Sequence, residues 1–236
     1  MTTTDENKPS RLRRAIRTSW LYKCLQGPIF DLKGHLFDLY HGVKTMPQVT
    51  LDQLDIDSPN KAGGGIYAGS EPKYFRKILS SLDIDFEKFH FIDFGSGMGR
   101  ALFLASEYPF KKITGVEFSP ELHEIAKKNI KSFTNRKRKC TALESVCEDA
   151  VEYSLPIEPT VYYFFNPFNR ALFCQVISNI ERSLKEAPRE AYVIYMNPVN
   201  NDLFVDSPVF EQIGDGSWHT LHVATVESLT LHESDA

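Results

Sequence analysis

Three short segments of this chain hold the residue types that binding and transfer chemistry need. In Phe91-Ile92-Asp93-Phe94-Gly95-Ser96-Gly97-Met98-Gly99-Arg100, apolar residues lead into an acid and then into three glycines at alternate positions. Glycines tolerate positive φ and leave no Cβ between the backbone and a ligand. A helix opening at Arg100 would offer unpaired N–H groups to an electron-rich ligand. In Lys112-Ile113-Thr114-Gly115-Val116-Glu117, a short apolar run ends in a carboxylate 18 residues past Gly99. At about that distance a βαβ unit sets an acid on the hydroxyls of a ribose. The third segment, Tyr163-Phe164-Phe165-Asn166-Pro167-Phe168-Asn169, ends an apolar run in Asn-Pro-aromatic, and Asn197-Pro198 closes the next such run. A dinucleotide fingerprint needs its third glycine three residues after the second. Here Arg100 holds that place, which disfavours a nicotinamide-linked dehydrogenase.

The elements that must position these residues alternate. A helix with Tyr74, Phe75, Ile78, Leu79 and Leu82 on one face starts at Ser70-Glu71-Pro72. Strands are expected over Phe89–Phe94, Lys112–Glu117, Leu143–Cys147, Thr160–Phe165 and Ala191–Met196, with helices over Arg100–Glu107, Glu121–Ile130 and Arg170–Leu184. Ser119 reads as an N-cap and Pro120 as a first helical residue. Apolar runs of this kind suit strands buried on both faces of a parallel sheet. Val209–Ile213 and Trp218–Val226, separated by Gly214-Asp215-Gly216, read as a closing hairpin. Ligands in such sheets bind outside the carboxyl ends of the strands. That puts Asp93, Gly95, Ser96, Gly97, Gly99, Glu117, Phe118, Glu148, Asp149, Ala150, Asn166 and Phe168 at the candidate site. Asp149 also reads as a helix cap, and Asn197 reads more simply as a turn former.

Composition bounds the rest. The chain has 236 residues, 42% hydrophobic and 25% charged, with a net charge of −4. That is ample for one α/β domain, read here as residues 61–236, preceded by a basic, helical extension over 1–60. The four cysteines show no C-x-x-C spacing, no apolar run approaches membrane-spanning length, and the first residues are polar. A cytoplasmic protein is expected. Arg11, Arg13, Arg14 and Arg17 concentrate positive charge on a stretch that could be helical, as a contact for an anionic surface or as a solvated face. Gly63-Gly64-Gly65, just before Tyr67, suggests a hinged lid.

The Asp-x-Gly-x-Gly-x-Gly spacing from Asp93 to Gly99 resembles motif I of the class I S-adenosylmethionine-dependent methyltransferases. Segments spread over residues 37–213 resemble a bacterial family of these enzymes with undefined substrate. The glycine loop with a helix before the first strand is also similar to the non-SET histone-lysine methyltransferases. The resemblance implies a Rossmann-like, mostly parallel seven-stranded sheet in the order 3-2-1-4-5-7-6, with an antiparallel last strand. It implies S-adenosylmethionine as cofactor, held by Tyr67, Asp93, Gly95, Ser96, Gly97, Gly99, Glu117, Phe118, Asp149, Ala150 and Asn166. The carboxylate after the third strand, Asp149 or else Glu148, would take the adenine amino group. Asn166-Pro167-Phe168 resembles motif IV, in which the Asn oxygen accepts hydrogens from a target nitrogen and the aromatic stacks on the substrate. Asn166 and Phe168 are therefore the expected catalytic residues. The second proline of that motif is missing, which leaves the acceptor open; an amino group of a protein side chain fits the resemblance. A non-catalytic module that binds the same cofactor is the alternative.

Overall fold

The computed structural model describes residues 32–46, 69–216 and 218–226. The expected helix over Arg11–Leu25, the basic residues Arg11, Arg13, Arg14 and Arg17, and Tyr67 lie outside them.

The first described helix, α1, covers 32–41. In α2 (Pro72–Leu79), Glu71 is the N-cap, its Oε2 accepting from the Tyr74 N–H at 2.9 Å, and Pro72 is the first helical residue. The sequence placed the helix start at Ser70; that hydroxyl instead pairs with the Tyr163 phenol at 2.8 Å. Then follow β1 (His90–Phe94), α3 (Arg100–Ala105), β2 (Lys112–Glu117), α4 (Pro120–Ser132), β3 (Leu143–Cys147), β4 (Thr160–Phe165), α5 (Arg170–Glu186), β5 (Ala191–Met196), α6 (Asp202–Val205), β6 (Glu211–Asp215) and β7 (His219–Ala224). Ser119 caps α4 as expected, its Oγ accepting from the Leu122 N–H at 3.3 Å.

The seven strands form one sheet in the order β3-β2-β1-β4-β5-β7-β6, with β7 antiparallel to both of its neighbours. Side chains alternate across it. Phe91, Val161 and Tyr163 join a core under α2 and α3, and Ile92, Phe94, Tyr162 and Phe164 join one that includes α5. Asp93 lies in register with Tyr163.

The closing hairpin differs from its sequence reading. Val209 and Phe210 are buried in the α5-side core, so pairing starts only at Glu211. Gly214 and Asp215 then belong to the strand, a register shift between Gln212 and Gly214 absorbs Ile213, and the Gly216 N–H closes the turn on the His219 carbonyl at 2.8 Å. The third helix is also shorter than expected, ending at Ala105. Ser106 caps it, and its carbonyl accepts the N–H groups of Lys139 and Cys140.

Residues 32–46 are fastened to the sheet domain. The Arg100 guanidinium donates to Thr45 Oγ1 at 2.7 Å and to Asp38 Oδ1 at 3.3 Å. Asp38 in turn accepts from the Thr45 hydroxyl and from the N–H groups of Thr45 and Met46. Asn129 of α4 bridges the Lys44 backbone and the Met98 carbonyl.

Candidate functional site

The turn between β1 and α3 runs through three glycines with φ of 74° (Gly95), 53° (Gly97) and 91° (Gly99). All three sit in the left-handed region, where a Cβ is costly. Space is a second constraint at Gly95, because a Cβ there would lie 2.6 Å from Pro167 Cβ. The glycine loop and the Asn-Pro tip of β4 therefore touch.

Glu117 ends β2 and braces this loop. Its Oε2 accepts from the Gly97 N–H at 2.8 Å and its Oε1 from the Ser119 N–H at 2.9 Å. The residue is 3% exposed. Burial pushes its pKa up to about 7, against the backbone N–H groups that favour the charged form. Asp93, also buried, is raised well above the usual carboxylate range, first by burial and then by the charge of Glu117.

Two clefts meet at Gly95. One, of about 290 Å³, is lined by Gly95, Val116, Phe118, Glu148, Asp149, Ala150, Phe168 and Leu172, and is mainly apolar. The other, of about 230 Å³, is lined by Gly69, Ser70, Asp93, Gly95, Ser96, Arg100, Ala101, Tyr163 and Phe165. It is the more polar of the two, and the Ser96 hydroxyl is buried there with no hydrogen-bond partner among the described residues. Asp149 caps no helix, contrary to one of its sequence readings: its Oδ1 accepts from the Val151 N–H at 3.0 Å, closing a turn, and the residue lines the apolar cleft.

Asn166 and Asn197 stand at neighbouring strand tips, just beyond the paired Phe165 and Met196. Both have positive φ, 43° and 49°. That conformation is uncommon outside glycine, and asparagine tolerates it better than most residues. Their surroundings differ. Asn166 is half-buried and its Oδ1 accepts from the Tyr195 hydroxyl at 3.1 Å, whereas Asn197 is exposed. The Tyr195 oxygen accepts the Asn200 N–H at 3.3 Å, so its own proton goes to Asn166.

The expected site residues other than Tyr67 thus gather around the glycine turn. Phe168 sits on the same side as Asp149 and Ala150. Sequence reasoning missed Ser70, Arg100, Tyr163 and Tyr195. A tyrosine in an otherwise apolar strand was the available signal for the last two, since a buried phenol needs a partner.

This cradle fits the methyl donor. It offers an apolar slot beside Phe118 and Ala150, a buried carboxylate at the end of β2, and a polar cavity with an unpartnered hydroxyl for the zwitterionic end. The profile of the family described as histone methylation protein DOT1 matches residues 52–142. Among solved structures, a dimethyladenosine transferase from Plasmodium falciparum is similar at 14% identity, over 72% of this chain and 67% of that one, with a TM-score of 0.50. An RNA methyltransferase from Salinibacter ruber in complex with S-adenosyl-L-homocysteine matches at 18% identity, over 67% and 94%, with a TM-score of 0.45. Precorrin-6y C5,15-methyltransferase from Geobacter metallireducens matches at 14% identity, over 75% and 95%, with a TM-score of 0.47. No curated protein matches this sequence. Identities this low speak to fold alone.

The sheet order is that of the class I S-adenosylmethionine-dependent methyltransferase fold, and the profile match over residues 52–142 supports methyl transfer. The profile match ends before β3, so it does not extend to the strand tips at Asn166 and Asn197.

Proposed function

We propose that this chain transfers the methyl group of S-adenosylmethionine to an amino nitrogen of a protein side chain, with residues 61–236 as the catalytic domain. The observation that carries the reading is the contact of the glycine loop with the β4 tip at Gly95 and Pro167, which brings the donor-binding turn against Asn166. The match to a histone methylation family supports a protein acceptor.

The donor, when bound, supplies an electrophilic methyl on a sulfonium sulfur. Glu117 accepts the ribose hydroxyls, Asp149 the adenine amino group, and Phe118, Ala150 and Phe168 wall the adenine slot. Asp93, Ser96 and the backbone of Gly95, Gly97 and Gly99 hold the amino-acid end. Asn166 positions the acceptor. Its Oδ1 has two lone pairs, one taken by Tyr195, and the other accepts an amine N–H and so turns the nitrogen lone pair to the reacting carbon. Arg11, Arg13, Arg14 and Arg17 contact an anionic surface.

The test is incubation of the protein with methyl-labelled S-adenosylmethionine and a cell lysate, followed by fractionation. Label on protein, stable to nuclease and present as N-methyl amino acid after hydrolysis, is the expected result. Label in nucleic acid or small molecules overturns the acceptor class. Donor binding without any transfer makes the chain a binding module.

A further inference from the structure

We propose that the end of α4 and the loop after it form a second binding surface, for the phosphate backbone of a nucleic-acid duplex. Between Glu124 and Glu144 the chain has seven lysines and arginines and no acid, while its net charge is −4. Six of the seven, Lys127, Lys128, Lys131, Arg136, Lys137 and Lys139, are exposed. A cation in the last turn of a helix is ordinary, since it offsets the helix dipole. That accounts for Lys131, but Arg136, Lys137 and Lys139 lie beyond Ser132, where α4 ends. The loop that carries them is pinned. The Thr134 N–H donates to the His41 carbonyl at 3.0 Å, the Lys137 N–H to Asn135 Oδ1 at 2.9 Å, and the Lys139 N–H to the Ser106 carbonyl at 2.7 Å. Phe133 is buried and stacks on Phe103, with ring centroids 4.4 Å apart. Arg138 braces the loop itself, its guanidinium donating to the Cys140 and Thr141 carbonyls. A fixed backbone thus holds three cationic side chains in solvent.

The carboxylates that border this surface are already engaged. Glu107 accepts from Arg76 at 2.6 and 2.8 Å and from Asn135 at 3.0 Å. Glu124 pairs with Lys127, and Glu144 with Lys112. Lys128, Lys131, Arg136, Lys137 and Lys139 are left in no ion pair with a described residue. Like charges this close along the chain repel one another, and a bound polyanion relieves that repulsion. What accompanies the charge selects the polyanion. Within residues 125–143 no large apolar side chain is exposed. A bilayer contact buries apolar side chains, a single strand stacks its bases on exposed aromatics, and a protein partner favours an apolar centre. The phosphates of a duplex require only cations. The surface is also separate from the donor clefts. α4 starts three residues past Glu117, and its 13 residues carry the chain about 20 Å along the helix axis.

The full chain is titrated with short fluorescent duplexes of arbitrary sequence, one of DNA and one of RNA, from about 50 mM salt upward. Binding to either duplex, indifferent to its sequence and weakened steeply by salt, is expected. The triple variant Arg136→Gln/Lys137→Gln/Lys139→Gln alters only exposed side chains. It should bind about tenfold or more weakly, and its slope of log affinity against log salt should be shallower by about three, one for each cation removed. Lys128→Gln/Lys131→Gln, on the helix side, should shift that slope by about two. Both variants should keep the wild-type Tm and affinity for S-adenosylhomocysteine. Lys73→Gln/Lys77→Gln/Lys185→Gln removes the same charge from exposed positions elsewhere and should bind the duplex within about twofold of wild type. Three results overturn the proposal: no binding to either duplex, wild-type binding by the first triple variant, or equal losses in the two triple variants. Tighter binding to polyglutamate or to phosphatidylserine vesicles than to either duplex would also overturn it, in favour of an acidic protein or a lipid surface. Methyl transfer is read from labelling, so its assignment stands or falls apart from these results.

Discussion

Glu117 combines two duties that pull its protonation in opposite directions. Burial raises its folded pKa to about 7, above the usual glutamate value of 4.5. The folded state therefore holds a proton between those values that the unfolded state has released. Its contribution to stability is complete below pH 4.5 and is lost as pH rises through 7. Glu117→Gln, which cannot ionise, should flatten that fall in urea unfolding measured from pH 5 to 8. Ribose hydroxyls donating to the carboxylate favour its charged form, so binding of S-adenosylhomocysteine near pH 6 should release protons. Calorimetry in buffers of different ionisation enthalpy reads that release. Glu117→Ala should weaken this binding by about 1.5–3 kcal/mol, the range for hydrogen bonds to a charged group. The two asparagines give a separate test. Asn166→Ala should cut methyl transfer to the labelled acceptor about tenfold or more, the equivalent of at least about 1.4 kcal/mol. Asn197→Ala shares the positive φ and the following proline but lacks the tyrosine bond, and should leave the rate within about twofold. Comparable losses at both would mean that the backbone shape of the tips matters and the Asn166 amide does not.

The elements were legible in the sequence wherever a segment had one dominant cause. Thr160–Phe165 and Ala191–Met196 form strands over the expected residues because each is an apolar run bounded by polar or turn residues, and Lys112–Glu117 and the more polar Leu143–Cys147 also match their expected bounds. The closing hairpin was misread because Gly214-Asp215-Gly216 looks like a turn only if Val209 and Phe210 are strand; burial under the α5-side core claims those two instead. The helix α6 carried no periodic signal. It is set by distant polar contacts, with Thr220 Oγ1 donating to Asn201 Oδ1 at 2.7 Å and the His222 Nε2 3.0 Å from the same oxygen. The candidate site was legible in its glycines and acids, whose spacing along the chain reflects the β1–α3–β2 unit. Ser70 and Tyr163 were not, since a contact 93 residues apart leaves no local mark. Packing between elements also makes a testable demand on β2. A Cβ on Gly115 would fall 2.6 Å from Ser96 Oγ and 2.9 Å from Leu102 Cδ1. Gly115→Ala must therefore push the glycine loop and α3 off the strand. A loss of about 1–3 kcal/mol in unfolding free energy, the usual range for overpacking, should come with weaker S-adenosylhomocysteine binding. If Tm falls while affinity holds, Ser96 does not touch the donor.

Across the whole molecule, the buried Arg100–Asp38 pair joins residues 32–46 to the helix that follows the glycine turn. Removing one member strands the other's charge, which typically costs about 3–5 kcal/mol. Asp38→Ala should lower stability by that amount in urea unfolding; Thr45→Val, which removes a hydroxyl and leaves the ion pair, should cost less. Equal losses would put the clamp in the hydroxyl. The order of strands has another consequence, one of timing. Among the described strands β7 is synthesised after all the others, yet it is an interior one, lying between β5 and β6. Until residues 219–224 emerge, β5 has a bare edge, β6 has nothing to pair with, and the hydrogen-bonding groups from Ala191 to Met196 are open to other chains. A stop codon a few residues upstream of His219 would thus remove a strand from inside the sheet and leave an adhesive product that keeps β1 to β6. Selection against premature termination should be as severe just before β7 as it is before β4 or β5.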